Sequence, residues 1–294
     1  MPDNLPEEIT VDIAEWVERA KSDPAAYAER QATEIFLNTL GTTEPYCGKF
    51  FLKGGILMGV VYESPRHTAD IDFSTDLEPT PEMIDHLRES LDSTFLRVAA
   101  KLGYLDTICK VQTIKPRPRL DNFSTAQAPS FEVSVAYARR GTNQEKLLEQ
   151  GKCATVINAD ISFREPVGGI QIVRLGNDGP TISAYSLSDV IAEKFRALLQ
   201  QEIRNRFRRQ DIYDLDILIR KFPLDQEEKS KLHALLLKKC QARDISPKQT
   251  SLEQEEIIRR AKSEWETQKL EIGNLPDFDK CFRFVNDFYK SLPW

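Results

Sequence analysis

The sequence predicts an α+β protein in which a mixed sheet with flanking helices is followed by an α-helical C-terminal domain. Two observations carry this prediction. Short period-two strand patterns alternate with helical segments up to about residue 184, and only helical periodicity follows. The turn-forming stretch NDGPTISAY lies where the pattern changes. We therefore expect two domains, residues 1–184 and residues 185–294.

The first domain begins with two predicted helices, TVDIAEWVERAKS and AAYAERQATEIFLNTL, whose apolar residues recur at helical spacing. The short strand KFFLK follows and is broken by Gly54 and Gly55, after which ILMGVVY has the length of two helical turns. The period-two strand ADIDFS and a helix over about Pro81 to Leu102 come next. Further strands are predicted for TICKVQTI, FEVSVAYAR, ATVINADISF and IQIVRL.

The second domain reads as a helical bundle. Its first segment, SLSDVIAEKFRALLQQEI, has a serine at the capping position and one apolar stripe. Four more helical segments follow: QDIYDLDILIRKF, KSKLHALLLKKC, LEQEEIIRRAKSEW and DKCFRFVNDFYKSL.

Composition excludes several classes of protein. The five cysteines lack paired CxxC spacing, and the three histidines are never at HxH or HxxxH spacing. The sequence therefore offers few suitably spaced ligands for a zinc site. The net charge of −6 means that a bound polyanion needs a local basic patch. Because the start of the chain has no signal-peptide pattern and no window approaches a membrane span, we expect a cytoplasmic protein without membrane contact.

Two aspartates in the strand ADIDFS are candidate metal ligands. Asp70 and Asp72 point to the same face, because successive side chains of a strand alternate. Paired carboxylates of this kind suit Mg²⁺. The same spacing recurs at Asp214–Asp216, within a helical pattern, and at Asp277–Asp279, at a helix start, so we interpret those pairs as solvated surface.

The neighbouring segments offer a phosphate site and a third carboxylate. A strand, a glycine pair and a helix start together expose backbone N–H groups that bind phosphate. The strand TVINADISF leaves Asn158, Asp160 and Ser162 on its polar face. Asp160 could share a metal and help to deprotonate an attacking hydroxyl, as nucleotidyl transfer requires, and Glu132 in FEVSV is the alternative.

Five motifs in order resemble those of the AbiEii/AbiGii family of nucleotidyltransferase toxins, within the polymerase β-like nucleotidyltransferase superfamily. They are LKGG, PRHTADIDFS, NADISFREP, SLSDVIAEKFRALLQ and RFRRQDIYDLDIL, and the resemblance spans Phe50 to Lys221. It implies a polymerase β-like nucleotidyltransferase domain followed by the helical domain. Its implied site has triphosphate contacts at Gly54 and Gly55, metal ligands at Asp70 and Asp72, and a third carboxylate and metal ligand at Asp160.

The resemblance implies three more site residues. Lys194 contacts nucleotide phosphates, Asp211 forms part of the active cleft, and Lys53 adds a phosphate contact beside the glycines. The chain differs from the family at two positions. Ile56 follows the glycines where the family usually has Ser or Thr, and Gln210 stands before Asp211 where Arg is common.

The function expected from these residues is Mg²⁺-dependent transfer of NMP from an NTP to an acceptor hydroxyl, with RNA such as tRNA as the acceptor. The resemblance implies the toxin of a bacterial toxin–antitoxin or phage-defence system, with a cognate antitoxin as partner. The segment RNRFRR could form the basic patch that holds RNA or could be a solvated face. The segment KPRPR, Lys115 to Arg119, is a second candidate patch or, as we rather expect, a plain loop. The alternatives are a small-molecule acceptor such as an antibiotic, or a non-catalytic protein that binds a nucleotide or a partner.

Overall fold

The computed structural model describes residues 8–65 and 68–294, which form two compact units. The first unit contains most of the chain up to Ala184. The second runs from Tyr185 to Trp294 and includes Pro166–Gly169 and a short stretch beginning at Ser64. Two residues of the motif PRHTADIDFS, Arg66 and His67, lie outside the described residues.

Strands of the first unit form one mixed sheet. In chain order they are β1 Glu8–Val11, β2 Phe50–Lys53, β3 Asp70–Thr75, β4 Thr107–Arg117, β5 Ser130–Arg139, β6 Val156–Phe163, β7 Ile170–Leu175 and β8 Thr181–Tyr185. Across the described residues the sheet has eight strands in the order β1-β7-β8-β2-β3-β6-β5-β4. Strand β3 is antiparallel to β2 and parallel to β6, and β5 is antiparallel to both β6 and β4.

Helices of the first unit pack against this sheet. They are α1 Ile13–Glu18, α2 Pro24–Leu40, α3 Gly54–Val60, α4 Met83–Lys101, α5 Leu120–Phe123 and α6 Asn143–Glu149. Helix α2 begins where the Asp23 carboxylate accepts hydrogen bonds from the N–H groups of Ala25 and Ala26. The buried ring of Phe36 on α2 packs edge-on against Phe73 on β3, with ring centroids 6.3 Å apart. The core therefore lies between α2, α4 and the apolar face of the strands.

The second unit is helical. Its helices are α7 Leu187–Gln200, α8 Arg209–Lys221, α9 Gln226–Gln241, α10 Glu255–Lys262, α11 Lys269–Ile272 and α12 Phe278–Lys290. Side chains of Ser186, Asp225 and Asp277 cap α7, α9 and α12. Helix α7 packs on α8 and α9, and α12 packs on α8. No helix in the described part of the chain has the length and apolar character needed to cross a membrane.

The α+β architecture is as predicted, but two predicted elements are wrong. Thr10 and Val11, expected at the start of a helix, lie in β1, which pairs in parallel with β7. The segment TISAY, expected to be part of a turn region, is β8 and pairs in parallel with β2. Both strands are short, and each pairs in parallel with a strand far away in the sequence, so local periodicity did not reveal either one.

Candidate active site

A row of charged residues crosses five neighbouring strands of the sheet. The register pairs Lys53 with Asp72, Asp72 with Asp160, Asp160 with Glu132 and Glu132 with Lys115. Residues paired directly across strands point to the same face and have Cβ atoms roughly 5 Å apart. We call these five residues the charged row; it lies opposite the apolar core face and places three carboxylates side by side between two lysines.

The carboxylates of the row repel one another. Burial raises the pKa of Asp72 from 3.8 to about 6; Lys53 opposes this rise, and Asp160, Asp70 and Glu165 add to it. Like charges directly opposite each other destabilise a sheet. A strongly perturbed carboxyl group among other carboxylates is typical of a functional site and would be relieved by a cation.

Asp160 and Glu132 have different surroundings. Burial raises the pKa of Asp160 although its side chain reaches the surface, and Glu132 and Asp70 raise it further. Arg117 binds Glu132 through two contacts, Nε to Oε1 at 2.7 Å and Nη2 to Oε2 at 2.9 Å. The charge of Glu132 is therefore balanced, whereas Asp160 lies directly opposite Asp72. This arrangement favours Asp160 over Glu132 as the third carboxylate.

Asp70 and Asp72 together fit a magnesium site. They lie on one face of β3, and Asp70 pairs in register with Asn158. Among the described residues, no group of three or more His, Cys, Asp or Glu side chains is close enough to hold a metal ion. Magnesium is usually bound through one or two carboxylates plus substrate phosphates, so a complete protein cage is not needed. The excess negative charge around Asp72 matches such an ion.

The glycine pair at the start of α3 is required by close contacts. Gly54 has φ +68°, and a Cβ atom there would lie 2.0 Å from Oδ2 of Asp72. A Cβ atom on Gly55 would lie 2.7 Å from Oγ1 of Thr68. The next residue, Ile56, is 1% exposed and belongs to the core. Glycine at position 54 therefore lets the helix start approach the candidate metal ligand.

Lys53 has a partly buried partner that the sequence pattern did not reveal. Its ammonium group forms an ion pair with Oε2 of Glu165, and the hydroxyl of Ser74 donates to the same oxygen at 2.6 Å. Glu165 follows β6 in the motif NADISFREP, but its position in an irregular segment gave no periodic signal. The contact fixes Lys53 beside Asp72.

A second cluster in the helical unit contains the other two predicted site residues. Lys194 Nζ lies 3.1 Å from Oδ1 of Asp211 and 2.5 Å from Oδ2 of Asp214. Lys194 and Asp214 are buried, and Arg208 approaches Asp211 at 3.7 Å. Asp211 and Asp214 share a face of α8 because they are one helical turn apart.

The interpretation of Asp214 and Asp216 as solvated surface is wrong. Asp214 is fully buried against Lys194, and Asp216 is buried and accepts hydrogen bonds from Arg220 at 3.0 Å. Each carboxylate is paired with a cation, which is the usual condition for burying a charge. Helical periodicity alone did not indicate which cation would meet which carboxylate.

The arginines of RNRFRR divide into two groups. Arg204 and Arg206 are exposed, whereas Arg208 approaches Asp211 and Arg209 pairs with Glu264 at 3.1 Å. The ring of Phe207, which lies between the two groups in the sequence, is 49% exposed. This segment therefore presents two cations and an aromatic ring to solvent.

The fold is shared with a solved structure. MenT4, a nucleotidyltransferase toxin from Mycobacterium tuberculosis H37Rv, matches with a TM-score of 0.56 and 17% identity over 95% of this chain and 90% of that one. JHP933 from Helicobacter pylori matches with a TM-score of 0.48 and 14% identity over 92% of each chain.

Sequence comparison identifies the family. No curated protein matches the chain. The family model for the nucleotidyl transferase AbiEii toxin of type IV toxin–antitoxin systems matches residues 36–283, most of the chain. The chain therefore belongs to the AbiEii family of nucleotidyltransferases, the toxins of type IV toxin–antitoxin systems.

Proposed function

We propose that this nucleotidyltransferase uses Mg²⁺ to transfer NMP from an NTP to a hydroxyl group of RNA. The observation that carries the proposal is the charged row, in which Asp72 and Asp160 lie opposite each other on parallel strands. Three adjacent carboxylates lower the stability of a sheet, so their presence is best explained by the chemistry that they serve.

The donor side of the reaction belongs to the Gly54 end of the row. Asp70 and Asp72 would hold Mg²⁺, which supplies charge stabilisation for the phosphates and the leaving pyrophosphate. Backbone N–H groups at Gly54 and Gly55 would receive phosphate oxygens. Lys53, fixed by Glu165, adds positive charge next to them.

Asp160 would act as the general base. Its raised pKa favours proton uptake, and it lies one strand away from Asp72. It would accept the proton of the acceptor hydroxyl as that oxygen attacks the α-phosphorus. The bond from the α-phosphorus to the bridging oxygen then breaks, and pyrophosphate leaves.

Lys194 would bind nucleotide phosphates, with Asp211 as its positioning partner. The ammonium group already lies between Asp211 and Asp214. Asp211 is the more accessible of the two carboxylates. A phosphate that binds Lys194 would therefore either displace Asp211 from the ammonium group or bind beside it. Asp214 would keep the ammonium group in place.

The RNA acceptor is supported by the exposed part of RNRFRR. Arg204 and Arg206 can contact phosphates, and the ring of Phe207 can stack on a base. We further expect tRNA to be the acceptor, the cytoplasm to be the site of action, and a cognate antitoxin to counter the toxin. Phage defence is the biological role that these expectations fit.

Labelled nucleotides test the proposal directly. The purified protein is incubated with each α-labelled NTP, Mg²⁺ and total RNA, and label is expected in RNA with a preferred NTP and not in the presence of EDTA. Asp72→Asn and Asp160→Asn should each lower transfer by about 10²-fold or more. Asp76→Asn, an exposed position just beyond β3, is the matched control and should transfer normally.

The acceptor is identified in the same assay. Replacing RNA by aminoglycoside antibiotics tests the small-molecule alternative. Label in the antibiotic and none in RNA would contradict the RNA proposal while leaving nucleotidyl transfer intact.

A further inference from the structure

We infer that the outer end of the charged row, on β5 and β4, is the acceptor subsite, where Lys115 binds a backbone phosphate of the RNA whose hydroxyl lies at Asp160. This inference rests on the proposed function and adds the residues that hold the acceptor. It also assigns a role to the first part of KPRPR, which lies in β4 rather than in a loop.

A polar cavity marks the subsite. It has a volume of about 340 Å³ and adjoins Asp160 on the side away from Lys53. Its polar lining includes Lys115, Glu132, Ser134 and Asn158. The volume falls at the lower end of the range for ligand pockets, which suits one nucleotide unit rather than a folded partner.

The two ends of the row differ in a way that separates donor from acceptor. At the inner end, Lys53 is buried and paired with Glu165, beside Gly54. At the outer end, Lys115 is exposed and has no ion pair among the described residues. In-line displacement requires the attacking hydroxyl and the leaving pyrophosphate on opposite sides of the α-phosphorus. With the triphosphate at the inner end, the acceptor comes from the outer end.

The distance between Asp160 and Lys115 can be spanned by one short piece of nucleotide chain. Asp160 and Lys115 are two strands apart, so their Cα atoms are separated by roughly 10 Å. Strand β4 is the edge of the sheet formed by the described residues. An RNA strand whose end lies at Asp160 can therefore continue past Lys115 into solvent.

Charge in the cavity favours an anionic acceptor. Arg117 neutralises Glu132 through two contacts, which removes the carboxylate that a cationic drug would need. Lys115 then contributes the positive charge of the described lining, and the other carboxylate there is Asp160, the group proposed to take the proton of the acceptor hydroxyl. Ser134 donates to Oδ1 of Asn158 at 3.1 Å, which leaves the amide N–H groups of Asn158 as donors for phosphate or ribose oxygens.

Substitutions at Lys115 test the subsite in the full chain. Lys115→Ala, Lys115→Glu and Lys115→Arg are compared with Lys110→Ala, an exposed lysine earlier on the same strand. Binding of bulk tRNA labelled at its 5′ end is followed by fluorescence anisotropy over a series of salt concentrations. NTP binding with Mg²⁺ is measured separately by calorimetry, without RNA.

The expected result is a selective loss on the RNA side. Lys115→Ala should weaken RNA binding about fivefold and raise the KM for RNA, and its salt slope should fall by about 0.7. Lys115→Glu should lose more RNA affinity than Lys115→Ala, and Lys115→Arg should retain RNA binding. Lys110→Ala should bind RNA as the unaltered chain does. NTP affinity should stay the same in all of these variants.

Two outcomes overturn the inference, and they are distinguishable. If the unaltered chain transfers label to RNA and Lys115→Glu has the same KM and salt slope, only the subsite is wrong. If the unaltered chain binds NTP with Mg²⁺ but neither binds nor labels RNA, the RNA acceptor of the proposed function fails with it.

Discussion

At the scale of single residues, Asp72 is a carboxylate whose ionisation opposes folding. Its pKa in the folded chain, about 6, lies above its ordinary value of 3.8, so the folded state holds the proton more tightly. The tighter proton binding by Asp72 contributes to the stability of the folded state. This contribution is fully present below pH 3.8 and is lost as the pH rises through about 6. In metal-free protein the cost of ionisation amounts to about 1–3 kcal/mol at neutral pH.

Asp72→Asn should therefore stabilise the metal-free protein while abolishing transfer. We expect its free energy of unfolding at pH 8, measured by urea titration in EDTA, to exceed that of the unaltered chain by about 1–3 kcal/mol. At pH 4 the two should be nearly equal. Lys53 keeps Glu165 as a partner, so the substitution leaves no lone buried cation. A variant less stable than the unaltered chain at pH 8 would contradict this account.

Only glycine fits at position 54, because of the backbone conformation and the close contact with Asp72. Gly54→Ala should therefore destabilise the protein. The positive φ and the 2.0 Å approach to Oδ2 of Asp72 act together, and we expect a loss of about 2 kcal/mol or more with loss of transfer. Gly59 in the same helix is the control. The nearest atom to a Cβ there is Nε1 of Trp16 at 3.4 Å, so Gly59→Ala should be neutral or stabilising in thermal unfolding. Equal losses in both variants would rule out this explanation.

Strand alternation could predict the row only in part. The side-chain period placed Asp70 and Asp72 on one face, and the same logic exposed Asp160 and Glu132. It could not give the register that sets Asp72 opposite Asp160, because the two strands are far apart in the sequence. Glu165 was missed for a related reason: an ion pair with Lys53 is a property of the folded chain alone.

At the scale of elements, α7 and α8 are joined by the buried pair of Lys194 and Asp214. Removing the cation would leave a carboxylate buried without compensation, so Lys194→Ala should destabilise the protein by about 3–5 kcal/mol. Loss of activity in that variant alone cannot establish phosphate binding. The double variant Lys194→Ala with Asp214→Asn should recover most of the stability, as measured by denaturant unfolding.

The recovered double variant then separates the two roles of Lys194. If Lys194 contacts nucleotide phosphates, the double variant should fold normally and still bind NTP at least tenfold more weakly in calorimetry. Asp214→Asn alone is the control, because it keeps the lysine. Normal NTP affinity in the double variant would limit Lys194 to a structural role.

Elements with strong local patterns were predictable, and elements defined by their partners were not. Helices α7, α8 and α12 follow from apolar stripes, and α7 and α12 also have capping residues. Strands β1 and β8 have only four and five residues, and each pairs in parallel with a distant strand. Their pairing energy comes from the assembled sheet, which a local window does not contain.

At the scale of the whole molecule, ligand binding and stability should be linked through the charged row. The chain carries a net charge of −6, and three carboxylates of the row lie side by side without a cation between them. Mg²⁺ and an NTP that bind only the folded chain would stabilise it by mass action. The carboxylates that destabilise the metal-free sheet are the same groups that would bind the ligand.

We therefore expect the melting temperature to rise with Mg²⁺ and the preferred NTP present together. At a ligand concentration of 100 times the Kd the gain is about 2.7 kcal/mol, which corresponds to roughly 4 °C for a chain of this size. Asp72→Asn should melt higher than the unaltered chain in EDTA and show almost no ligand shift, so the order of the two proteins reverses as ligand is added. Differential scanning fluorimetry with each NTP, with and without Mg²⁺, measures this. A ligand shift of the same size in Asp72→Asn would show that the nucleotide binds without the row, because a site built on Asp72 cannot stabilise a chain that lacks its carboxylate.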